Sequence, residues 1–410
     1  MFRVYFTSQQ LLILALGFFS GLPLALTAST LTAWLADTGV ERTAIGLFAA
    51  VATPYAFKFL WAPLMDALRL PLLGRLGRRR SWLLLCQVLL VASMIAMAGS
   101  NPASMPLATA LIAVILATAS ASQDIVIDAY RVELLPTEAQ GAGAAMATFG
   151  YRIGMLVSGA GALFLADHYG WHTTYFCMAG VMGVGALLTL LMRETSTAHT
   201  QRTVHSLRAF LRQSVIAPLA DFTTRPHWVA VVCFIVLYKL GDAFLGTMFN
   251  PFLLDIGFTK SQIAEIVKLY GFAATMLGVF VGGALVAKLG MYRALMLSGV
   301  LHMGTNLLLV VQAQLGADAH FLIFSIASEN LTGGMSTAAF IAYLSALCSL
   351  HYTATQYALV SSLAAFGRTW LSTPSGYVAD AVGWEIFFAI SCIISLPSLL
   401  VLWWIEHRKK

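Results

Sequence analysis

The 410-residue sequence is short of charge: Asp, Glu, Lys and Arg make up 10% of it, where water-soluble domains carry roughly 25%. A chain that is 59% hydrophobic, with a mean hydropathy of +0.81, belongs in a bilayer. Cysteine offers no chemistry. The five (Cys86, Cys177, Cys233, Cys348, Cys392) all sit in apolar stretches, with no CxxC and no His at metal spacing, so neither a disulfide framework nor a metal site is expected. There is also no HExxH, no GxSxG and no nucleophile beside a base, so the chain does not read as an enzyme. The length holds about twelve helices of 20 to 25 residues, which leaves no room for a soluble catalytic domain.

Apolar runs between polar breaks predict spanning segments near 8–36, 42–67, 80–99, 104–134, 137–166, 171–192, 226–254, 259–287, 292–313, 319–349, 352–379 and 384–405. The first run is too long for a signal-peptide core and reads as a retained helix. The predicted organisation is a six-helix unit over 1–192, a polar connector over 193–225 and a second six-helix unit over 226–410. A short amphipathic helix through Val204, Leu207 and Leu211 is conceivable in the connector.

A net charge of +6 and a pI near 9.1 raise the question of nucleic acid, which placement answers. Seventeen Lys and Arg fall on the side that holds both termini, including Arg69, Arg75, Arg78, Arg79, Arg80, Arg131 and Arg193. Only Arg42 and Lys260 fall on the other side. Basic residues beside short loops stay cytoplasmic, so both termini are expected there, and no nucleic-acid partner is needed to explain the charge.

The two sets of six echo one another. Glu138-Ala-Gln140 answers Ala354-Thr-Gln356, and Arg152 answers Arg368 at the same spacing. Ala166-Asp167-His-Tyr-Gly170-Trp171 answers Ala379-Asp380-Ala-Val-Gly383-Trp384. Two parallel six-helix repeats resemble the major facilitator architecture, an all-α membrane fold with its substrate site between the halves. Asp66 at the end of the second segment, followed by Arg78, Arg79 and Arg80, resembles the facilitator signature between segments two and three. These four residues are expected to form a cytoplasmic gate, with positive-inside charge alone as the plainer alternative. Small residues at four-residue spacing (Gly150, Gly154, Ser158, Ala162; Ala274, Gly278, Gly282) allow close helix approach, for packing more than for ligand binding.

Ten ionisable residues then remain inside predicted spans: Lys58, Arg152, Lys239, Lys268, Arg368, Asp124, Asp128, Asp242, Glu265 and Glu329. A charge at a helix centre costs roughly 2.5 to 3.5 kcal/mol on insertion scales, so these must face one another or a wet cavity. Asp124, Asp128 and Arg131 share one helical stripe; an Asp128–Arg131 bridge is expected, while Asp124, beside Ser122 and Gln123, lacks a partner on its own helix. Lys239 and Asp242, three residues apart, can satisfy each other. Arg152, next to Tyr151, and Arg368 are a candidate cationic pair, and the Arg fork suits an anionic substrate. Lys58 sits among Tyr55 and Trp61, aromatics that can stack on a sugar or merely pack. Glu329, in Ser328-Glu329-Asn330, lies on a polar, glycine-containing helix. Proton-coupling candidates are Asp124, Asp128 and Glu329; substrate-contact candidates are Tyr55, Lys58, Trp61, Gln123, Tyr151, Arg152, Lys239, Asp242 and Arg368.

Taken together, Ser20-Gly-Leu-Pro23, Phe57-Lys58-Phe-Leu-Trp61-Ala-Pro-Leu-Met-Asp66, Ser120-Ala-Ser-Gln-Asp124-Ile-Val-Ile-Asp128, Gly150-Tyr-Arg152-Ile-Gly154, Leu237-Tyr-Lys-Leu-Gly-Asp242 and Glu329-Asn-Leu resemble AmpG-type muropeptide permeases along nearly the whole chain. The resemblance implies a proton-coupled transporter of the cell inner membrane. It would import GlcNAc-anhydroMurNAc peptides for peptidoglycan recycling, a flux linked in some bacteria to β-lactamase induction. It implies no cofactor beyond the coupling proton, a monomer in the lipid bilayer and a muropeptide as substrate. Another anionic sugar conjugate or an acyl-CoA-type cargo is the alternative. Some members carry further C-terminal helices, which leaves substrate preference and regulation open.

Overall fold

A computed structural model of the chain describes residues 2–41, 48–71, 73–195 and 215–408. Among these residues the regular elements are all helical. The connector helix expected through Val204, Leu207 and Leu211 lies outside the described residues.

The first crossing is made of α1 (Ser8–Leu26) and α2 (Ser29–Asp37). Thr7 opens α1 by accepting from Gln10 N, a hydroxyl satisfying one of the donors that a helix start leaves free. The second crossing is broken into short pieces, including α3 (Thr53–Phe57) and α4 (Ala62–Ala67), each with a proline in its first turn. Then follow α5 (Arg78–Ala98), α6 (Pro106–Leu134), α7 (Gln140–Leu156) and α8 (Ala162–Leu191). The connector ends with α9 (Ala217–Thr223), and after it come α10 (Trp228–Leu237), α11 (Leu240–Asp255), α12 (Lys260–Glu265) and α13 (Phe272–Leu289). The chain ends with α14 (Met291–Leu315), α15 (Ala319–Ala346), α16 (Thr353–Leu371) and α17 (Ser375–His407).

Among the described residues, eight continuous helical runs are long and apolar enough to cross a membrane. One of them, Thr137–Leu191, has 55 residues; at 1.5 Å per residue it far exceeds a core of about 30 Å. It turns at Gly170, whose φ of 78° suits a residue without Cβ, and so makes two crossings. The broken second segment, α15 and α16 complete the expected set. Those last two are rich in Ser, Thr, Asn and Gln, which is why apolarity alone does not single them out.

The echoes in the sequence have structural counterparts. Gly383 adopts the Gly170 conformation (φ 76°), and Gly290 pairs with Gly77 in the same way, both pairs 213 residues apart. Trp171 Nε1 donates to Asp37 Oδ2 at 2.7 Å, and Trp384 Nε1 donates to Asp255 Oδ2 at 3.2 Å. The glycine stripes are packing devices. A Cβ on Gly150 or Gly154 would collide with the Leu14 or Phe18 carbonyl of α1, and one on Gly278 or Gly282 with the Leu331 or Met335 carbonyl of α15. They bring α7 against α1 and α13 against α15, within each set of six.

Candidate functional site

At the end of the bundle that holds both termini, three helices converge on a buried clasp. Asp66 closes α4, and Arg79 Nη2 donates to its Oδ1 at 2.7 Å. The same guanidinium meets Glu133 Oε1 at 2.6 Å, and Arg78 reaches Glu133 at 3.2 Å. The side chains of Arg79 and Glu133 have no exposure at all. An Arg in such a place is held by two carboxylates because an unpaired buried charge is strongly destabilising.

Asp66 does more than neutralise Arg79. Its Oδ2 accepts from Thr355 N and Thr355 Oγ1, both at 2.7 Å, and its Oδ1 accepts from Ala354 N at 3.3 Å. These are the first residues of α16, so the carboxylate sits on a helix N-terminus, where backbone N–H groups favour an anion. One side chain thus ties the second crossing to the eleventh. A second tie lies alongside. Arg131, 1% exposed, donates to Ser345 Oγ at 3.0 Å, Tyr357 OH at 3.0 Å and Gln140 Oε1 at 3.3 Å, with its guanidinium over the Tyr357 ring.

The expected gate is corrected at one residue. Arg80 donates to the carbonyls of Thr189 and Leu190 on α8 and takes no part in the Asp66 cluster. Glu133 and Thr355 take its place. Glu133 ends a strongly apolar span next to Arg131 and so reads as an interfacial charge; Thr355 carries no charge to draw notice. Asp128 and Arg131 lie 3.6 Å apart, but Arg131's shorter contacts are with α15 and α16.

In the last six crossings, Lys239 and Asp242 meet at 2.8 Å. Lys239 Nζ also donates to Ser336 Oγ at 3.3 Å and Thr337 Oγ1 at 3.1 Å on α15. The second Asp242 oxygen lies 2.5 Å from His302 Nε2, and His302 Nδ1 lies 3.1 Å from Thr332 Oγ1. Lys239 and Asp242 line a cavity of about 730 Å³ together with Phe340, Tyr357 and Ser361. His302 stands behind that wall, 6% exposed. A single His in an apolar run gives no pattern to read, so its place in this cluster emerges only from the packing of α14 on α11 and α15.

The remaining candidates are more dispersed. Ser20 Oγ donates to Asp124 Oδ1 at 2.5 Å, and Lys58 is the cation whose field reaches Asp124. Trp61 Nε1 donates to Ser122 Oγ at 3.0 Å, and the Tyr55 hydroxyl lies 3.5 Å from Thr27 Oγ1. Gln123 is fully buried and donates to the Phe19 carbonyl at 2.8 Å, so it joins α6 to α1 and does not face a cavity. Tyr151 is half-buried and Arg152 exposed on α7. Glu329 Oε2 accepts from Asn330 Nδ2 at 2.9 Å. The side chains of Arg368 and Lys268, and with the former the expected Arg152–Arg368 pairing, lie outside the described residues. Among the described residues, no group of His, Cys, Asp and Glu could hold a metal ion.

Residues 13–370 match the Major Facilitator Superfamily family model. The chain is 41% identical over 407 residues to an anhydromuropeptide permease of Escherichia coli (strain K12), a match covering 98% of this chain and 80% of that one. It is 34% identical over 398 residues to the putative transporter AmpG 4 of Rickettsia felis, covering 97% and 96%. Among solved structures it is similar to the major facilitator transporter FucP in its outward conformation, with a TM-score of 0.73, 13% identity and coverage of 98% and 99%. The proton:xylose symporter XylE bound to 6-bromo-6-deoxy-D-glucose gives a TM-score of 0.69 at 13% identity, covering 97% and 94%. Those two likenesses establish the fold, and the level of identity to the permeases, sustained over nearly the full length, establishes the rest: the chain is a multi-pass membrane transporter of the major facilitator superfamily and belongs to its AmpG-type muropeptide permeases.

Proposed function

We propose that this permease imports GlcNAc-anhydroMurNAc peptides across the cell inner membrane, coupled to protons, and acts as a carrier without enzymatic activity. The observation that carries the reading, beside the family itself, is the Lys239–Asp242 pair on the wall of a 730 Å³ cavity. That volume falls in the usual range for small-ligand sites, about 300 to 1,000 Å³. A muropeptide offers carboxylates, amides and sugar hydroxyls, and a fixed cation beside hydroxyl and aromatic groups suits all three.

In this reading the chain divides into halves at 1–192 and 226–410, both termini are cytoplasmic, and the protein works as a monomer. The Asp66 clasp then seals the cytoplasmic end, leaving the opposite end to receive cargo. Asp124, Asp128 and Glu329 are the acids proposed for coupling. Entry of an anion works against an interior-negative potential by about 2.3 kcal/mol per charge per 100 mV. Co-transported protons offset that penalty.

The test is uptake of labelled GlcNAc-anhydroMurNAc-tetrapeptide by proteoliposomes under an imposed proton gradient, with an uncoupler control. Accumulation that collapses with the gradient is expected. Equal uptake without a gradient refutes coupling, and absence of uptake shifts the cargo to another anionic sugar conjugate or an acyl-CoA-type molecule.

A further inference from the structure

The hydrogen bonds around His302 close with either one or two protons on the ring. Thr332 Oγ1 lies 2.9 Å from the Ser328 carbonyl and 3.0 Å from the Glu329 carbonyl. Both are acceptors only, and His302 Nδ1 lies 3.1 Å away, so the single hydroxyl proton of Thr332 has two settings. Turned to a carbonyl, Thr332 offers a lone pair to a protonated Nδ1; turned to the ring, it donates to a bare Nδ1. Thr305 gives its own proton to the His302 carbonyl at 2.7 Å and supplies nothing to the ring.

On the other side of the ring, Nε2 faces Asp242 Oδ1. A bare nitrogen and a carboxylate oxygen would set two lone pairs against each other. A proton must lie between them, carried by Nε2 or by Oδ1. With Nδ1 protonated as well, the Asp242–His302 pair holds one proton more than a neutral imidazole and a carboxylate. Releasing it requires the remaining ring hydrogen to move to Nε2 and the Thr332 hydroxyl to swing from the backbone carbonyls onto Nδ1.

We propose that Asp242 and His302 form a proton-holding site on the cavity wall, and that its loading frees Lys239 to bind an anionic group of the cargo. The inference rests on the proton-coupled import described above and names a residue for it. Asp242 lines the cavity and is the entry point; a proton arriving on its carboxylate passes to Nε2 as the hydrogen already there shifts to Nδ1 and the Thr332 hydroxyl turns to the backbone, and the reverse path releases it. Lys239 Nζ spends its three donors on Asp242, Ser336 and Thr337. Neutralising Asp242 weakens the one charged hold among the three, so the ammonium can turn to a carboxylate in the cavity. The facing ionisable groups are Lys239 and Asp242 at the α11 start, Glu329 on α15, whose field also reaches the ring, and the Tyr238 hydroxyl, which is within the field of Asp242. Glu329 offsets the positive charge that a loaded site carries.

His302→Gln retains a donor for Asp242 and cannot hold a second proton. In proteoliposomes it should lose proton-driven accumulation of the labelled tetrapeptide conjugate while still exchanging it across the membrane. Thr332→Val removes only the partner of Nδ1 and should shift the pH profile of uptake without abolishing accumulation. In dilute buffer, adding the conjugate to purified wild-type protein should change the bulk pH, and His302→Gln should remove that signal. Proton-driven accumulation by folded His302→Gln at the wild-type level overturns the proposal while leaving proton-coupled import intact. If His302→Gln does not fold, an unshifted profile in Thr332→Val overturns it. Failure of wild-type accumulation to depend on the gradient overturns both readings.

Discussion

Replacing Asp66 by Asn removes one negative charge and keeps the shape of the side chain. The effect on the conformational equilibrium follows from which contacts cross between the two sets of helices. Arg79 belongs to α5, on the same side as Asp66, so weakening that bond acts on the closed and open states alike and leaves their ratio unchanged. The contacts that bridge the sets are those to Thr355 N and Thr355 Oγ1, both at 2.7 Å, and a longer one to Ala354 N at 3.3 Å, of which the two short ones dominate. A charge-assisted hydrogen bond contributes about 1 kcal/mol more than a neutral one, so two of them amount to about 2 kcal/mol, or roughly a 30-fold shift toward the open state. Cys348, partly buried just beyond α15 and within the field of Arg131 and Asp66, is a built-in reporter. With the other four cysteines replaced by alanine, its maleimide labelling should accelerate in Asp66→Asn protein purified in detergent. An unchanged labelling rate in well-folded Asp66→Asn refutes the clasp as a determinant of the equilibrium.

Arg131→Lys replaces a planar fork by a single ammonium that cannot serve Ser345 and Tyr357 together. It should shift Cys348 labelling in the same direction by about fivefold, from the loss of about 1 kcal/mol. Gly154→Leu places a side chain where the Phe18 carbonyl of α1 already sits; size-exclusion chromatography should show aggregate in place of a single peak. Glu194 accepts from Arg79 N and Arg80 N at 2.8 and 3.0 Å and so caps the start of α5. Glu194→Gln should lower the thermal unfolding midpoint in detergent, from the loss of about 1 kcal/mol typical of a cap.

The crossings are legible in the sequence because apolar runs and their polar breaks are local properties. The repeats are legible for a related reason: Gly170 and Gly383 share a backbone angle that suits glycine, and Trp171 and Trp384 each donate to the Asp that ends the first crossing of their set. Partners are another matter. Asp66 stands out beside its arginines, but its ties to Thr355 join residues 289 positions apart, and no periodicity encodes that distance. His302 is silent for the same reason. Gln123, polar and adjacent to Asp124, looks from sequence like a cavity residue. It lies about 100° around α6 from Asp124, and while both reach α1, Gln123 is fully buried against the Phe19 carbonyl.

The burial of the clasp determines what can act on it. Dissolved ions weaken attraction between charges that share the solvent, and Arg79 and Glu133 share none of it. Swings in ionic strength on either side of the membrane therefore leave the closed end undisturbed. In the proposed cycle water must reach the guanidinium before it can part from its carboxylates, and the buried apolar side chains clustered with α4 and the start of α16 include Leu16, Met65, Leu83, Ala354 and Ala358. On that reading, enlarging or trimming a methyl group there should change turnover while leaving every charge in place.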